Sequence, residues 1–373
     1  MDALIPNQVP QAWYVLTYQQ RNITRDISGY LLSLTYNDSL SGRSDELEVE
    51  LEDSEGKWRD AWYPGQGDTL TLSIGWVGGQ LRDLASFEID EVELGGPPFK
   101  VSIRALATGI NSAVRTIEHR AYENISLDGL AKQIADRQGL QLVGRIEPIK
   151  LDRLTQQESD LAFLSKVAQE FDYAFKVTGK RLVFHAISEL ADAVPVAALK
   201  LGELSGISLR DQIRTVPKEV KVRHHNPAKK QLVSYSLVNG QVTAVPSSAS
   251  KVATSADTRK SRRRVTSEEE AKARTKAEQA KANRERTIGN WSLMGRPNLV
   301  SGNVVSLINA GKLGGDFLIL AARHRFTRDG GYESEIEACR VKAPAISLSQ
   351  TSTTTKPDLA LSTYGIQDQG TVA

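Results

Sequence analysis

Segments in which apolar and polar residues alternate dominate residues 12–108. Five of them read AWYVLTYQQ, YLLSLTY, DELEVELED, DTLTLSIGW and FKVSIRAL, and Gly- and Pro-rich turn sequences such as YPGQGD and LGGPPF separate them. Successive side chains of a strand point to opposite faces, so a period of two predicts antiparallel strands with one buried face. We therefore expect this region to form one small β-barrel or sandwich.

The segment FEIDEVEL carries a shift in this alternation. Its apolar residues change from Phe87 and Ile89 to Val92 and Leu94. A one-residue shift would send the second half of the strand to the wrong face unless an extra residue bulges out. The sequence therefore predicts a β-bulge or a sharp bend here, as a closing barrel needs.

An acidic stretch, LEVELEDSEGKW, resembles a set of metal ligands at first sight. Its carboxylates are Glu48, Glu50, Glu52, Asp53 and Glu55. Metal ligands must converge on one point, whereas alternate residues of a flat strand diverge. We therefore interpret the acidic residues up to position 52 as the solvent face of a strand and DSEG as the turn after it.

Residues 111–200 change to a helical period. The stretch SLDGLAKQIADRQG predicts a helix that Ser126 caps, that Gly139 ends, and that buries one apolar face. A capping box from Thr155 to Glu158 predicts the start of a second helix. The hairpin YAFKV-TGK-RLVFHA follows, so we expect a compact α+β module. The expected buried faces are Leu127, Leu130, Ile134 and Ala135 in the first helix, and Leu161, Leu164, Ala168 and Phe171 in the second.

Residues 201–345 return to β-strands, which one helix over residues 267–288 interrupts. Ser267 is its expected N-cap, and its apolar stripe is almost all alanine, at Ala273, Ala277 and Ala280, before Ile288. Such a thin stripe buries little area, so the helix needs a partner surface from its own barrel or from a neighbouring chain. The remaining residues, 346–373, are rich in Ser and Thr without a sustained period and form a polar C-terminal tail.

Composition narrows the functional classes. The net charge of +2 gives no overall field that would favour nucleic acid or an anionic membrane. The single cysteine, Cys339, excludes an intrachain disulfide and fits a buried structural thiol. No signal peptide and no apolar run of membrane-spanning length are visible, so we expect a soluble protein made in a reducing cytosol, with no membrane insertion.

The sequence lacks the common catalytic motifs. P-loop, HExxH and G-x-S-x-G patterns are absent. His224 and His225 are adjacent on a predicted strand, so they face opposite sides and are poorly placed to share a metal. We therefore predict no catalytic residues, no bound metal and no cofactor.

The run RKSRRR is the densest charge cluster of the chain. It contains Arg259, Lys260, Arg262, Arg263 and Arg264. It is interpreted in three ways: a solvated loop before the helix, a contact with an acidic protein neighbour or with a channel, or a phosphate-binding site. No aromatic residue interleaves with it, which argues against specific binding of single-stranded nucleic acid.

The order of these pieces resembles the late control protein D family of phages, the baseplate hub proteins of contractile tails. Residues 39–76 resemble the N-terminal signature of that family through Asp45 to Asp53, Gly56-Lys57-Trp58 and Pro64 to Asp68. The stretch QESDLAFLSKVAQEFDYAFKVTGKRLVF resembles its middle segment, which also occurs in the spike proteins of type VI secretion. The stretches from SEEEAK to VVSLI and from LAARHRF to SEIEA, with His324 and Gly331-Tyr332, resemble its C-terminal half.

The resemblance implies a non-enzymatic ring. Hub proteins of this kind are similar to homotrimers in which each chain supplies two tube-like barrels, so that six quasi-equivalent modules adapt the six-fold tail tube to the three-fold central spike. The implied partners are the tail tube protein, the central spike protein and other baseplate proteins. The particle would be a contractile phage tail or an R-type pyocin-like particle, assembled in the bacterial cytoplasm, with this chain in the baseplate.

The predicted fold class is therefore mainly β with an α+β insert. Two tube-protein-like antiparallel β-barrel modules, 1–110 and 201–345, flank a small α+β module, 111–200, and the tail follows. Two other functions stay open. Carboxylate pairs in a chain rich in Asp and Glu allow a peptidoglycan hydrolase of the tail tip, and the basic run allows a nucleic-acid-binding protein.

Overall fold

The structure is a computed structural model that describes the chain in eight stretches. For the described residues between 219 and 268 it gives the backbone alone. The described stretches are residues 10–107, 117–212, 219–226, 231–238, 241–246, 258–260, 268–329 and 331–344.

The first β region contains the five strands that alternation predicts. A register shift between Ile89 and Glu91, where β6 pairs with β7, confirms the predicted bulge. Inward-facing apolar side chains from these strands form one buried core that includes Leu34, Phe87 and Ile103. The elements are β1 (Ala12–Tyr18), β2 (Arg21–Asn22), α1 (Thr24–Ile27), β3 (Leu31–Ser39), β4 (Glu46–Glu52), β5 (Thr69–Trp76), β6 (Arg82–Gly95) and β7 (Lys100–Ala107).

The middle region is the predicted α+β module. Ser126 caps the first helix, because its Oγ accepts a hydrogen bond from the Gly129 N–H at 3.4 Å. Gly139 has a φ of +64° just after the helix, a conformation that glycine adopts without strain. The elements are β8 (Arg120–Ser126), α2 (Leu127–Arg137), β9 (Gln141–Val143), β10 (Lys150–Gln156), α3 (Asp160–Glu170), β11 (Tyr173–Thr178), β12 (Arg181–Ala186) and α4 (Ile187–Ala191).

The predicted capping box at Thr155 to Glu158 is wrong. Thr155 is the penultimate residue of β10, where it pairs with Ala121 of β8, and α3 begins only at Asp160 after Ser159. The predicted buried face is correct for Leu164, Ala168 and Phe171, whereas Phe163 and Val167 replace Leu161 in the core. The cross-strand partner on β8 is remote in sequence and outweighs the local capping signal.

The second β region contains a group of strands that belongs to the large sheet, and a small four-stranded sheet. Side chains of the first group form a buried core that includes Trp291, Phe317 and Ile336. The elements are β13 (Ala197–Lys200), β14 (Leu204–Asp211), β15 (Glu219–Asn226), β16 (Gln231–Val238), β17 (Gln241–Pro246), β18 (Thr258–Lys260), α5 (Glu268–Arg286), β19 (Thr287–Met294), β20 (Val304–Ile308), β21 (Gly315–Thr327) and β22 (Gly331–Lys342).

One continuous sheet joins the two β regions. Strand β21 of the second region pairs antiparallel with β3 of the first, from Ala321 opposite Ser39 to Thr327 opposite Ser33. The strand order is β14-β19-β22-β21-β3-β4-β7-β6-β5-β1-β2. The predicted mainly β fold with a small α+β insert is confirmed, while the module boundaries at 110, 200 and 345 remain predictions.

Helix α5 is shorter than the predicted span of 267–288. It ends at Arg286, and Ile288 belongs to β19. Its fully buried residues include Ala271 and Ala282, and the chain itself supplies a partner surface, since α5 lies against α3, β15 and β22. The predicted N-cap, Ser267, and the tail 346–373 lie outside the described residues. No helix in the described stretches is both long and apolar enough to cross a bilayer.

Candidate assembly surfaces

The glutamates of the acidic stretch form the solvent-exposed face of strand β4, as predicted. Leu47, Val49 and Leu51 are buried, and the glutamates between them are partly exposed. The turn after the strand is also confirmed, because the Gly56 N–H donates to the Asp53 carbonyl at 3.1 Å. Among the described residues no group of His, Cys, Asp or Glu is arranged to hold a metal ion.

Strand β4 is one part of a polar face that crosses both β regions. Partly exposed acidic side chains of β4 and β22 pair with basic side chains of β7, of β21 and of the turn after β21, on the side of the sheet that faces away from the two cores. Surface pairs of this kind contribute at most about 1 kcal/mol each to the free energy of folding. Their main effect is to make this face of the sheet hydrophilic. The pairs are Glu46–Arg104, Glu50–Lys100, Glu52–Arg328 and Glu335–Arg323.

Several strand edges of this sheet are open among the described strands, including β2 and β13, and two others carry exposed apolar side chains. Strand β14 pairs with β19 on one side only, and residues 90–95 of β6 pair with β7 only, because β5 ends opposite Glu88. Ile207 on β14 and Leu94 on β6 are 44% and 49% exposed. Open edges present unpaired backbone donors and acceptors, which other chains can extend. These two edges are therefore candidate contacts between copies.

A buried network joins the three regions of the chain near the end of strand β3. The Lys176 ammonium of β11 lies 2.6 Å from Asp38 Oδ1 of β3 and 2.8 Å from Asp45 Oδ1 beside β4. Ser301 donates to Asp38 from its N–H and its hydroxyl, both at 2.7 Å. The side chains of Asp38, Asp45 and Lys176 are 4%, 2% and 16% exposed, so this junction is shielded from water.

The junction splits the pKa values of its two carboxyls. Burial raises the pKa of Asp38, but the Lys176 ammonium and the two Ser301 donors bring it below its ordinary value. Burial and the nearby Asp38 charge raise the pKa of Asp45 to about 6, although Lys176 opposes this. One cation thus neutralises one carboxylate fully and leaves the second short of a counter-charge.

Asp45 is expected to make the protein less stable as the pH rises from about 4 to about 6. Its folded pKa lies above its unfolded value, so the folded state holds the proton to higher pH, and the stabilisation present below about pH 4 is lost through about pH 6. Asp45→Asn should remove on the order of 3 kcal/mol of this dependence. Urea unfolding of the wild type and of Asp45→Asn at pH 4.5 and at pH 7 checks this. If the free energy of unfolding changed equally with pH in both proteins, the prediction would be wrong.

A second buried group, His324, lies next to the junction. Its Nε2 lies 3.0 Å from the Leu299 carbonyl, and its Nδ1 lies 2.9 Å from the Tyr332 hydroxyl and 3.0 Å from that of Ser334. A neutral ring donates from Nε2 to the Leu299 carbonyl, and the single lone pair of Nδ1 accepts from the two hydroxyls, which also bond to each other. Burial lowers the pKa of His324 to about 4. The histidine is therefore a neutral structural link between β21, β22 and the loop before β20.

Helix α5 is fixed to the middle module by buried ion pairs. Arg284 pairs with both carboxylate oxygens of Asp172, and Arg274 lies 2.8 Å from Glu170 Oε2 and 2.9 Å from Glu270 Oε1. The Arg274 guanidinium also stacks over the Phe171 ring at 5.2 Å. The polar helix is thus held by charge as well as by its alanines.

The predicted interaction residues are only partly described. Arg259 and Lys260 lie in β18, which runs parallel to β15 and of which only the backbone is described. Arg262, Arg263 and Arg264 lie outside the described residues. Their contact with an acidic neighbour stays a prediction. Cys339 is buried, as expected, and burial raises the pKa of its thiol to about 11.

The sequence analysis missed the buried junction. The sequence did contain a signal for it. Asp45 and Asp53 continue the alternation of Leu47, Val49 and Leu51, so their side chains are expected on the same, buried face of the strand. Both aspartates are indeed buried, and Asp53 Oδ1 accepts from the Trp58 N–H at 2.9 Å. The partner Lys176 is too far along the chain for any local pattern to reveal it.

Comparison with known proteins follows the sequence resemblance. No family model matches the chain. The probable baseplate hub proteins of Escherichia phages P2 and 186 are 32% and 30% identical to it over 174 residues, which is 46% of this chain. The matched stretch spans 44% of each relative, less than half of its length.

Solved structures share the overall fold. A tail protein from Neisseria meningitidis MC58 aligns with a TM-score of 0.62 at 11% identity, over 88% of this chain and 96% of that one. The 43 kDa tail protein of prophage MuSo2 from Shewanella oneidensis gives 0.61 at 15% identity, over 88% and 98%. A component of the type VI secretion system of E. coli gives 0.52 at 12% identity, over 85% and 76%. The chain is therefore similar in sequence to phage baseplate hub proteins and in fold to phage tail proteins, which confirms the resemblance that its motifs indicated.

Proposed function

We propose that this protein is a structural baseplate hub of a contractile phage tail or R-type pyocin-like particle. The observation that carries the proposal is the sequence match to two probable baseplate hub proteins, together with a sheet that spans both β regions and has open edges at β14 and at residues 90–95 of β6. In this role three copies form a ring between the tail tube and the central spike. The chain acts mechanically, as an adaptor, and catalyses no reaction.

The number of strands in the sheet gives the size of such a ring. Eight consecutive strands, β14-β19-β22-β21-β3-β4-β7-β6, run from one open edge to the other. If β14 of one copy pairs with residues 90–95 of the next, three copies close a barrel of about 24 strands. At about 4.8 Å between strands, its circumference is at least about 115 Å and its diameter about 37 Å before strand tilt. In this arrangement closed symmetry pairs both the β14 edge and the β6 edge of every copy.

The polar face supports a water-filled passage in this ring. The inner apolar side chains of each region point into its own core, so the face with the Glu–Arg and Glu–Lys pairs is left for the lumen. The buried Asp38–Lys176–Asp45 junction and the α5 ion pairs fix the middle module to the sheet. A hub that carries load along its axis needs such rigid connections.

The mass of the assembled protein tests the proposal. At micromolar concentration we expect a species of about three times the 40.9 kDa chain mass, and a complex with the tail tube and spike proteins of the same particle. Light scattering after size-exclusion chromatography measures both. A chain that stays monomeric alone and with both partners would overturn the proposal, and cell-wall lysis that depends on a carboxylate would favour a peptidoglycan hydrolase.

A further inference from the structure

The strand directions of the large sheet make its β14 edge and its β6 edge compatible with each other. Every neighbouring pair in the order β14-β19-β22-β21-β3-β4-β7-β6 is antiparallel. Because the order contains an even number of strands, β14 and β6 run in opposite directions. Copies related by rotation about one axis keep their strand directions, so β14 of one copy meets β6 of the next as an antiparallel pair.

The sheet is concave on its polar face. A groove of about 1000 Å³ lies over this face, and residues of seven of the eight strands, from β14 to β7, line it. A sheet that curves in one sense turns both of its edges towards the concave side. Further copies that continue the curve therefore bring β14 of one copy to β6 of the next, with the polar side chains on the inside.

Ile207 and Leu209 carry the open hydrogen-bonding groups of β14. The Gln212 N–H donates to the Arg286 carbonyl at 2.7 Å, so the even-numbered residues of β14 bond to β19 and the odd-numbered ones face the open edge. Alternation also places the side chains of Ile207 and Leu209 on the core face of the sheet, since Ile207 lies opposite the buried Trp291. Leu209 packs against the core of the second β region, and Ile207 is 44% exposed.

Val92 and Leu94 carry the matching groups of β6. Both lie opposite odd-numbered residues of β7. The Ala107 N–H donates to the Asp45 carbonyl at 2.8 Å, so the odd-numbered residues of β7 bond to β4 rather than to β6. The backbone groups of Val92 and Leu94 therefore face the open edge of β6. Val92 packs against the core of the first β region, and Leu94 is 49% exposed.

One antiparallel register pairs these four residues with one another. When Ile207 lies opposite Leu94, Leu209 lies opposite Val92, and the two residues of each pair exchange their N–H···O=C bonds. The side chains of Ile207 and Leu94, which are exposed in the single chain, then cover each other. The apolar layer of the second β region in one copy continues into that of the first β region in the next.

The same register gives complementary charges on the polar face. It sets Arg210 opposite Glu91 and Ser208 opposite Glu93, and all four residues are exposed in the single chain. Opposite charges at directly facing positions stabilise a strand pair, and like charges destabilise it. The polar side chains therefore favour the same register as the apolar ones.

Neighbouring registers lose these matches. A slip by one residue would turn the apolar side chains of one strand to the polar face. A slip by two residues sets Leu209 opposite Asp90 in one direction and Ile207 opposite Gly96 in the other. The first leaves an apolar side chain against a charge, and the second leaves one against a residue without a side chain.

We propose that β14 of one copy pairs with β6 of the next copy in this register, with Ile207 opposite Leu94 and Arg210 opposite Glu91. The occupant of both edges is a second copy of this chain, because the two edges match each other in direction, in bonding groups and in charge. The inference rests on the proposed hub function and adds to it the residues that specify how the copies join.

A disulfide between copies tests the register. In this register Ser208 and Glu93 form a non-hydrogen-bonded pair with Cα atoms about 4.5 Å apart, within the range of a disulfide. The full-length double variant Ser208→Cys/Glu93→Cys, oxidised at micromolar concentration, should run mainly as covalent dimers and trimers of the 40.9 kDa chain on a denaturing gel. A reducing agent should return it to a single chain. The wild type should stay a single chain on this gel, since its one cysteine, Cys339, is buried.

Ser208→Cys/Glu91→Cys is the matched control, because Glu91 is also exposed and lies two residues from Glu93 on the same face. Its position is about 8 Å from that of Ser208 across the interface, so its cross-linking should be at least about tenfold weaker. Sedimentation velocity under reducing conditions should show both variants as trimers. If the wild type is trimeric but Ser208→Cys/Glu93→Cys does not cross-link, or the control cross-links equally well, the register is wrong while the hub function stands. If neither the wild type nor the variants form a trimer, the hub function and this inference both fail.

Discussion

Replacing Lys176 by methionine is expected to lower the free energy of unfolding by about 3–5 kcal/mol at pH 7.5. Methionine preserves most of the side-chain volume but removes the only cation found within 4 Å of both Asp38 and Asp45 in the described part of the chain. Both carboxylates are almost completely buried, so they would be left charged without a partner. Urea denaturation followed by tryptophan fluorescence measures the loss.

The pH dependence of this variant distinguishes lost charge from lost packing. Without Lys176 both carboxyls of the junction have folded pKa values above their unfolded ones, so the variant gains more stability than the wild type as the pH falls from 7.5 to 5. A packing defect alone would leave the variant with the same pH response as the wild type, which Asp45 already provides. Lys166→Met is the control, since Lys166 forms a pair with Glu158 in which the side chains are 49% and 31% exposed. It should cost less than about 1 kcal/mol. Equal losses in the two variants would contradict the role of the junction.

Local patterns predicted the elements of this fold well. Alternation identified β4 and β5, and a one-residue shift in it identified the bulge at Ile89 and Glu91. The Ser126 cap and the Gly139 stop identified helix α2. Each of these signals depends on neighbours within a few residues. The local sequence is therefore sufficient to predict these elements.

Contacts between distant segments could not be predicted in the same way. Alternation assigns side chains to a face but does not say which strand lies alongside, so it did not reveal the β21–β3 pairing that joins the two β regions. Asp45 had the parity of a buried residue, but its counter-ion lies on β11. The false capping box at Thr155 has the same origin, because the pairing with β8 decides the local structure.

These long-range contacts are the ones that the proposed function depends on. The β21–β3 pairing makes one wall from two β regions, and the junction around Lys176 fixes the middle module to that wall. A sequence pattern thus indicates what kind of modules the chain contains. The three-dimensional arrangement shows which described strand edges have no partner, and one of these edges is the basis of the second prediction with a large effect.

Ile207→Pro in strand β14 is expected to prevent formation of the proposed trimer. The Gln212 N–H donates to the Arg286 carbonyl at 2.7 Å, so the N–H groups of Ile207 and Leu209 point away from β19, towards the open edge. Proline removes one of these donors, and its ring obstructs a neighbouring strand, while the bonds to β19 are kept. With pairing lost at all three interfaces, the concentration needed for assembly should rise at least about 100-fold.

Ile207→Val keeps the N–H and a β-branched side chain, so this control should remain trimeric. Sedimentation velocity at micromolar concentration distinguishes a mass near 40.9 kDa from three times that mass. Thermal unfolding should show that the proline variant is folded as a monomer, since Ile207 is partly exposed and β14 keeps its partner β19. A proline variant that still forms trimers would mean that the copies meet elsewhere than at β14, and the closed wall of strands would have to be abandoned even if the hub function held.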